Sequence, residues 1–298
     1  MDSINNQIVI LKPSSVPRYF GLFVVLGTAL LIVAPTFAAD QAGIFHPADG
    51  SWVLDGNGNG AEDACRDDLC LNFGTTGDLP AVGDWNGDGA PEIGVKRGGQ
   101  WFIDFNGNGV WDNCRDDLCL TFGAVTDIPA VGDWNGDGIT EVGVKRGGQW
   151  FIDLNGNGQW DGCRDDTDDL CLIFGANGDL PTVGDWSGDG IANIAVKRGG
   201  QWFIDLNGNG KWDGCRDDTD DLCLTFGSAD DLPAVGDWDG DGAPELGVKR
   251  DGQWFIDLNG NDVWDGCRSG QDDLCLNFGA VDDLPAVGDW VTVATDGL

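Results

Sequence analysis

The chain has 298 residues and a formal net charge of −35, from 51 acidic and 16 basic residues. Such acidity argues against nucleic acid and anionic membrane surfaces as partners, because both would be repelled. Strong acidity also accompanies disorder, but 14 Trp and 14 Phe in a periodic apolar pattern favour a packed protein. Clustered carboxylates need counter-charge, which bound divalent cations would provide.

Residues 1–38 have the pattern of a secretory signal peptide. Lys12 and Arg18 precede an apolar run at 19–33, and small residues follow up to Ala38. The run is short for a membrane span, which needs roughly 20 apolar residues. We therefore predict cleavage after Ala38 and export to the extracellular space, the cell surface or a periplasm, with no membrane span in the mature chain. An uncleaved anchor is the alternative.

The cysteines fall into five close pairs, one in each repeat of the chain. Export makes disulfides plausible, and the variable gap within each pair favours local disulfides over zinc. Zinc sites usually have Cys ligands two to four residues apart and need further N or S ligands, whereas the only His is His46. The predicted bonds are Cys65–Cys70, Cys114–Cys119, Cys163–Cys171, Cys215–Cys223 and Cys267–Cys275.

A repeat organises the rest of the sequence. The phrase Leu/Ile-Pro-Ala/Thr-Val-Gly-Asp-Trp recurs at Leu79, Ile128, Leu180, Leu232 and Leu284, at spacings of 49, 52, 52 and 52 residues. Each repeat has four short runs rich in β-branched and aromatic residues, here called strands a to d. In one copy they are 129–134, 141–146, 149–154 and 170–174, and Gly-Gly joins b to c as a hairpin. Four-stranded repeats of this length are typical of β-propellers.

The two ends of the repeat region complement each other. The mature chain begins on a strand b at Gly43, and its last repeat phrase, 284–290, is a strand a. We therefore predict an all-β, five-bladed propeller over 43–290, closed by pairing of the terminal strands. Residues 39–42 would be a linker and 291–298 a tail. An open array of five modules is the alternative.

The loop between strands a and b, the first loop, has oxygen-bearing side chains at positions 1, 3, 5 and 9 and Gly at position 6. A hard cation such as calcium takes six to eight oxygens, and alternate side chains of a tight loop can provide several. A metal-free Asn/Gly/Asp turn is the alternative, but four copies in register favour calcium. The predicted ligands are Asp84, Asn86, Asp88 and Glu92; Asp133, Asn135, Asp137 and Glu141; Asp185, Ser187, Asp189 and Asn193; and Asp237, Asp239, Asp241 and Glu245.

The segment Asp-Trp-Asn-Gly-Asp-Gly-x-x-Glu before an apolar strand resembles the calcium loop of FG-GAP/VCBS repeats. Those repeats build the integrin α-subunit propeller and many secreted bacterial proteins. The resemblance implies a calcium-binding propeller that serves in recognition or adhesion. This sequence departs from the pattern in its last acid, which is Glu or Asn rather than Asp, and in having five blades rather than seven. The loop with Ser187 and Asn193 should bind calcium more weakly than the others.

The loop between strands c and d, the second loop, repeats the same spacing with fewer charges. Calcium affinity follows the number of charged ligands, so we expect weaker binding here unless the following Asp-Asp pair contributes. Trp111 in this loop is interpreted as a hydrophobic lid rather than a sugar platform. The predicted ligands are Asp55, Asn57, Asn59 and Asp63; Asp104, Asn106, Asn108 and Asp112; Asp153, Asn155, Asn157 and Asp161; Asp205, Asn207, Asn209 and Asp213; and Asp257, Asn259, Asn261 and Asp265.

In a four-stranded meander both kinds of loop emerge at one end, and the b–c turns at the other. The turn end carries the basic pairs Lys96-Arg97, Lys145-Arg146, Lys197-Arg198 and Lys249-Arg250. These bases either pair with nearby acids or form an anion-binding rim.

The repetition also bears on function. An active site needs one asymmetric pocket, whereas every candidate carboxylate here recurs at the same blade position, so we do not expect an enzyme. The favoured prediction is a secreted calcium-binding propeller that recognises a protein ligand, as in adhesion. A lectin-like propeller is the alternative, because aromatic faces pack on sugars, although most of the tryptophans are expected to pack between blades.

Overall fold

A computed structural model of the chain describes residues 22–26, 29–33, 38–163, 168–215, 220–267 and 273–291. The chain divides into two compact units, Met1–Pro35 and Thr36–Leu298. In the first unit, β1 (Leu22–Leu26) and β2 (Ala29–Val33) pair in antiparallel fashion. The rest of the predicted signal segment before Ala38 lies outside the described residues. Within the described part of the chain, no helix is long and apolar enough to span a membrane.

The described residues of the second unit form twenty further strands. They are β3 (Gln41–His46), β4 (Ser51–Leu54), β5 (Leu69–Asn72), β6 (Leu79–Gly83), β7 (Glu92–Arg97), β8 (Gln100–Ile103), β9 (Leu118–Thr121), β10 (Ile128–Pro129), β11 (Gly143–Arg146), β12 (Gln149–Ile152), β13 (Leu170–Ile173), β14 (Leu180–Gly184), β15 (Asn193–Arg198), β16 (Gln201–Ile204), β17 (Leu222–Thr225), β18 (Leu232–Pro233), β19 (Gly247–Arg250), β20 (Gln253–Ile256), β21 (Leu274–Asn277) and β22 (Leu284–Gly288).

These strands form five four-stranded antiparallel sheets, the blades of a five-bladed β-propeller. Blade one is β22-β3-β4-β5, and blades two to five are β6–β9, β10–β13, β14–β17 and β18–β21. The first strand of each blade, strand a, is innermost, because β22 contacts β6 and β18, and β6 contacts β10. Strand-a residues such as Ala81, Val131 and Ala286 line a central channel.

Blade one is assembled from the two ends of the unit. β22 pairs with β3 in antiparallel register, with Leu284 opposite Phe45 and Gly288 opposite Gln41. The predicted ring closure is confirmed, and the open array is wrong. The linker is shorter than predicted, because β3 begins at Gln41 and Ala42 is already buried in the sheet.

The predicted b–c hairpin turns depend on glycine. Gly98 adopts φ +62° and Gly147 φ +61°, a left-handed conformation that glycine reaches without steric cost. Blade five has Asp251 at this position, with φ +54°. Asp tolerates this conformation better than most residues, so the turn is preserved.

Strand a of blades three and five is shorter than predicted. The strand predicted over 129–134 is regular only at Ile128–Pro129, although Ala130 N still donates to Gly143 O at 2.9 Å. An isolated bridge between Gly132 and Glu141 continues the pairing towards the first loop. Strand a thus stays paired with strand b, although the ladder of hydrogen bonds between them is interrupted.

The hydrophobic core lies between blades. One cluster joins Trp101 and Ile103 of blade two to Val142 and Val144 of blade three, and the other seams repeat this pattern. Trp101 is fully buried, and its Nε1 donates to Phe122 O at 2.9 Å. The same bond recurs at Trp52, Trp150, Trp202 and Trp254. The expectation that most tryptophans pack between blades is therefore confirmed.

The five predicted disulfides are present, each within one blade. They join Cys65 to Cys70, Cys114 to Cys119, Cys163 to Cys171, Cys215 to Cys223 and Cys267 to Cys275. Each bond links the end of a second loop to the following strand d. Disulfides persist in oxidising compartments, so their presence agrees with an extracytoplasmic location.

Candidate metal centre

The first loops fold around their position-1 aspartate. In blade two, Asp84 Oδ1 accepts hydrogen bonds from Gly87 N and Asp88 N, and its Oδ2 accepts one from Gly89 N at 2.9 Å. Gly87 has φ +77°, which glycine permits, so the loop turns tightly around this carboxylate. The same bonds recur around Asp133 and Asp237.

The position-9 glutamate begins strand b and folds back into the loop. Glu92 is only 5% exposed, and its Oε2 accepts a hydrogen bond from Trp85 N at 2.9 Å. Burial, together with the charges of Asp88 and Asp84, raises the pKa of Glu92 to about 8. The same causes raise the pKa of Glu141 to about 8 and that of Glu245 to about 9. These buried carboxyls thus lack counter-charge, which a bound cation could provide.

Three first loops bring their acids close together. Each residue in these groups offers a carboxylate oxygen within 4.8 Å of the others. The groups are Asp84, Asp88 and Glu92; Asp133, Asp137 and Glu141; and Asp237, Asp239, Asp241 and Glu245. An all-oxygen set of this density fits a hard divalent cation. The first loops therefore hold the strongest candidate metal ligands among the described residues.

The first loop of blade four differs as the sequence suggests. Ser187 and Asn193 replace two ligands, and Asn193 Oδ1 accepts a hydrogen bond from Ser187 N at 3.1 Å. Asp185 still holds the turn through Gly188 N and Gly190 N. The loop shape is preserved, while its charge is reduced.

Blade one has a first loop split between the chain ends, which sequence analysis missed. Gln41 aligns with Glu92, and its Oε1 accepts a hydrogen bond from Val291 N at 3.1 Å. Asp40 lies beside it, and its Oδ2 accepts a bond from Asp237 N at 2.9 Å. Burial and the charges of Asp237 and Asp289 raise the pKa of Asp40 to about 7. Extending the alignment of the first b strand by two residues before Gly43 would have revealed Gln41 at the position of Glu92.

The second loops also fold around a buried aspartate. Asp104 accepts hydrogen bonds from Asn108 N at 3.2 Å and Gly109 N at 2.6 Å. Asn108 Nδ2 donates to Asp112 Oδ2 at 2.6 Å, so hydrogen bonds link positions 1, 5 and 9 of the loop. Among the described second loops, however, no three acids approach one another as closely as those of the first loops.

An additional aspartate enters each second loop from the start of strand d. Asp117 is buried, and its Oδ2 accepts a hydrogen bond from Asp112 N at 2.6 Å. The residues at this position are Asp68, Asp117, Asp169, Asp221 and Asp273. The Asp-Asp pair was named from the sequence only as a possible contributor, and these residues were not included among the predicted ligands, although Asp-Asp-Leu-Cys recurs in every repeat.

The two kinds of loop lie at the same end of the blades, as predicted. Asn86 Nδ2 in a first loop donates to Phe105 O in the second loop of the same blade at 3.3 Å. Asn135 and Leu154 repeat this contact in blade three, also at 3.3 Å. The candidate metal ligands therefore share one end of the propeller.

The lysines at the opposite end do not form an anion-binding rim. Lys96 is 1% exposed, and its Nζ donates to Ala124 O and Asp127 O in the turn that precedes the next blade, each at 2.9 Å. Burial lowers the pKa of Lys96, although Asp127 opposes that change. The same hydrogen bonds to backbone carbonyl oxygens are formed by Lys145, Lys197 and Lys249. These bases join neighbouring blades.

The arginines of the same turns are paired as well. Arg97 forms two hydrogen bonds with Asp78, at 2.8 and 2.7 Å, and stacks 4.7 Å above the Phe102 ring. Equivalent pairs are Arg146–Asp127, Arg198–Asp179 and Arg250–Asp231. In blade one, His46 Nδ1 lies 2.5 Å from Asp283 Oδ1 and takes the place of the arginine. The pairing of bases with nearby acids is therefore correct for the arginines, whereas the lysines bind backbone carbonyl groups, which neither alternative predicted.

Four tryptophans of the second loops remain partly exposed at the seams between blades. Trp111 is 38% exposed and stands edge-on to Phe73 of blade one and Phe102 of its own blade. The Arg97 guanidinium completes a cavity of about 180 Å³, and its counterpart beside Trp264 measures about 340 Å³. The other two are Trp160 and Trp212. In blade one this position is Glu62, which accepts a bond from Gly279 N.

No family model and no curated protein sequence matches this chain. What the geometry defines is a five-bladed β-propeller with acidic loops at one end.

Proposed function

We propose that the protein is a secreted calcium-binding propeller that recognises a ligand without transforming it. The observation that supports this most is the grouping of carboxylate oxygens within 4.8 Å in the first loops of blades two, three and five. The position-1, position-5 and position-9 acids would hold the ion together with the side chain at position 3. Calcium would supply the positive charge that these buried carboxyls lack and would fix the loops.

Recognition rather than catalysis is supported by the repetition of the site. The first loops of blades two, three and five place acids at the same positions 1, 5 and 9, whereas catalysis depends on one asymmetric pocket. The resemblance to FG-GAP/VCBS repeats supports the same function and implies a protein ligand, as in adhesion. The disulfides support a secreted location.

Calcium binding is tested by thermal unfolding with calcium and with excess chelator. An ion that binds only the folded state stabilises it by mass action, so calcium should raise the melting temperature in a concentration-dependent way. The triple variant Asp84→Asn, Asp133→Asn and Asp237→Asn should lose most of this response. Asp67→Asn, Asp116→Asn and Asp230→Asn, which change charge outside the first loops, form the matched control. Identical melting curves with calcium and chelator would contradict the proposal.

Recognition is tested by capture of ligands from the surroundings of the native protein. A calcium-dependent protein partner would support the adhesion function. Retention of no ligand in either the calcium or the chelator sample would count against a recognition module.

A carbohydrate ligand is the second candidate, favoured by the tryptophan clefts. Each cleft offers an exposed Trp beside a guanidinium already neutralised by an aspartate, as in the Arg97–Asp78 pair. Such a cleft suits a neutral sugar, because aromatic rings pack on sugar C–H groups and no net charge attracts an anion. Titration with neutral oligosaccharides should then quench Trp fluorescence through four weak sites. Trp111→Leu should remove one site, and a response unchanged in that variant would exclude the cleft.

A further inference from the structure

The second loops of blades three, four and five contain a buried carboxylate oxygen with no hydrogen-bond partner among the described residues. The oxygens are Oδ1 of Asp169, Asp221 and Asp273, which are at most 5% exposed. The other oxygen of each carboxylate, Oδ2, accepts backbone N–H groups of the second loop, such as Gly162 N at 3.0 Å. Burying an acceptor without a donor is unfavourable, so a ligand bound to each Oδ1 would stabilise the loop.

The blades with shorter second loops show where this oxygen points. In blade two, Asp117 Oδ1 lies 3.3 Å from Nδ2 of Asn106, which is position 3 of the loop. In blade one, Asp68 Oδ1 lies 3.5 Å from Nδ2 of Asn57. The equivalent oxygen of Asp169, Asp221 and Asp273 therefore faces the interior of the loop.

That interior already contains other oxygens. In blade three, Asp153 is buried and accepts bonds from Asn157 N at 3.2 Å and Gly158 N at 2.6 Å. Asp161 Oδ2 accepts a bond from Asn157 Nδ2 at 2.7 Å. None of the ion pairs formed by the described residues involves Asp153, Asp161 or Asp169. The second loop of blade three thus contains three carboxylates, none of which forms an ion pair with a described base.

The carboxyl groups at position 1 of these loops are buried beside other negative charges. Burial raises the pKa of Asp153 to about 6, and the neighbouring charges of Asp169 and Asp161 act in the same direction. The pKa of Asp205 in blade four is raised to about 6, again by burial and by the charge of Asp221.

We propose that the second loops of blades three, four and five are three further calcium sites, each completed by the aspartate that precedes strand d. The nine-residue loop supplies Asp153, Asn155, Asn157 and Asp161 in blade three, and Asp169 adds a third carboxylate. Five protein oxygens fit calcium better than magnesium, which usually keeps several waters and takes one or two carboxylates. Zinc is disfavoured because the neighbouring cysteines are oxidised and no His lies in these loops.

These sites rest on the calcium-binding function proposed above, and they differ from the first loops in one respect. Their acids are less tightly grouped, so we expect the second loops to contract around the ion and to fill after the first loops. Counting bound ions therefore separates the two sets of sites.

The test is native mass spectrometry of the disulfide-bonded protein at increasing calcium. The triple variant Asp169→Asn, Asp221→Asn and Asp273→Asn keeps an oxygen acceptor for the backbone N–H groups but removes the third carboxylate. It should bind three fewer calcium ions than the natural protein. The control variant Asp116→Asn, Asp168→Asn and Asp220→Asn removes the same charge at exposed positions, each directly before the buried aspartate of blade two, three or four, and should bind the full number.

The outcomes are distinguishable. If the natural protein binds calcium and the triple variant binds as many ions, the second-loop sites are wrong while the first-loop function stands. If the natural protein binds no calcium, both proposals are wrong. Each single variant should lose one ion, which keeps the test available if the triple variant does not fold.

Discussion

At the scale of single residues, the buried lysines link one blade to the next. Lys145 Nζ donates to Ala176 O at 3.1 Å and to Asp179 O at 2.9 Å, both in the turn that precedes blade four. These carbonyl groups lie where the backbone has no strand partner. A charged side chain therefore completes the hydrogen bonding of a neighbouring blade.

Lys145→Met should destabilise the propeller, because Asp179 O loses its lysine donor and Ala176 O keeps only the bond from Asp179 N, while the apolar stem is retained. Leaving a buried acceptor unpaired costs about 1–3 kcal/mol. Urea unfolding should show a loss in the free energy of unfolding of this size. Lys211→Met, at an exposed position, is the control and should change little. Equal stabilities of the two variants would show that the hydrogen bonds of Lys145 do not stabilise the fold.

The buried glutamates predict an unusual pH dependence. The pKa of Glu92 rises from 4.5 to about 8 in the folded, metal-free protein. A group with a raised folded pKa favours folding below its unfolded pKa, and that contribution is lost as pH rises through the folded value. In excess chelator, the melting temperature should therefore fall as pH increases from 4.5 towards 8. Saturating calcium should remove or reverse this decline, because the ionised carboxylate would then be paired.

The triple variant Glu92→Gln, Glu141→Gln and Glu245→Gln is the control for that pH dependence. Gln retains an oxygen that can accept the hydrogen bond from the backbone N–H of Trp85, Trp134 or Trp238, but it does not titrate. The decline should become shallower without disappearing, since burial also raises the pKa of Asp104 to about 6. A chelated natural protein with constant stability across this range would contradict the prediction.

At the scale of elements, each disulfide stabilises one loop and strand d. Cys163 and Cys171 are eight residues apart, and Cys65 and Cys70 five. In the chain-entropy model, closing a loop this short contributes less than about 3 kcal/mol. The double variant Cys163→Ser and Cys171→Ser should lower the free energy of unfolding by no more than this amount, and by less than chelation does. Complete unfolding on reduction in the presence of calcium would be incompatible with this prediction.

The strands and the calcium-type loops could be predicted from the sequence because their signals are local. Gly98, the Gln-Trp-Phe-Ile runs and the spacing of Asp84, Asp88 and Glu92 depend only on nearby residues. The hydrogen bonds of Lys96 could not be predicted, since its acceptors lie in the turn before the next blade and their position depends on how the blades pack. The aspartate before each strand d was visible as a repeated residue, but only folding brings it back into the second loop.

At the scale of the whole molecule, closure depends on the last strand. β22 completes blade one, and Ala286 in this strand and Trp290 just after it belong to the core shared with blade two. Deleting 284–298 would expose the backbone edge of β3 and the apolar groups of the next blade. We expect aggregation or loss of cooperative unfolding, measured by light scattering during a thermal scan. Deleting only 292–298 leaves β22 intact and is the control.

A monomeric 284–298 deletion with an unchanged melting transition would show that β22 is dispensable. The addition of one complete repeat offers a second test of the same feature. A ring of five blades has no place for a sixth unless all the seams change, so the extended protein should unfold at a lower temperature than the natural chain.

The pairing of β22 with β3 has a mechanical consequence. The chain enters the pair at Gln41 and leaves it at Gly288, and these residues lie opposite each other. A load applied across the two ends would therefore peel the strands apart one hydrogen bond at a time, instead of shearing all of them together. Each disulfide lies within a single blade, so no covalent bond would stop the rupture from advancing. A propeller tethered at one end and gripped through a blade would bear force, whereas one pulled by both termini would open first at blade one.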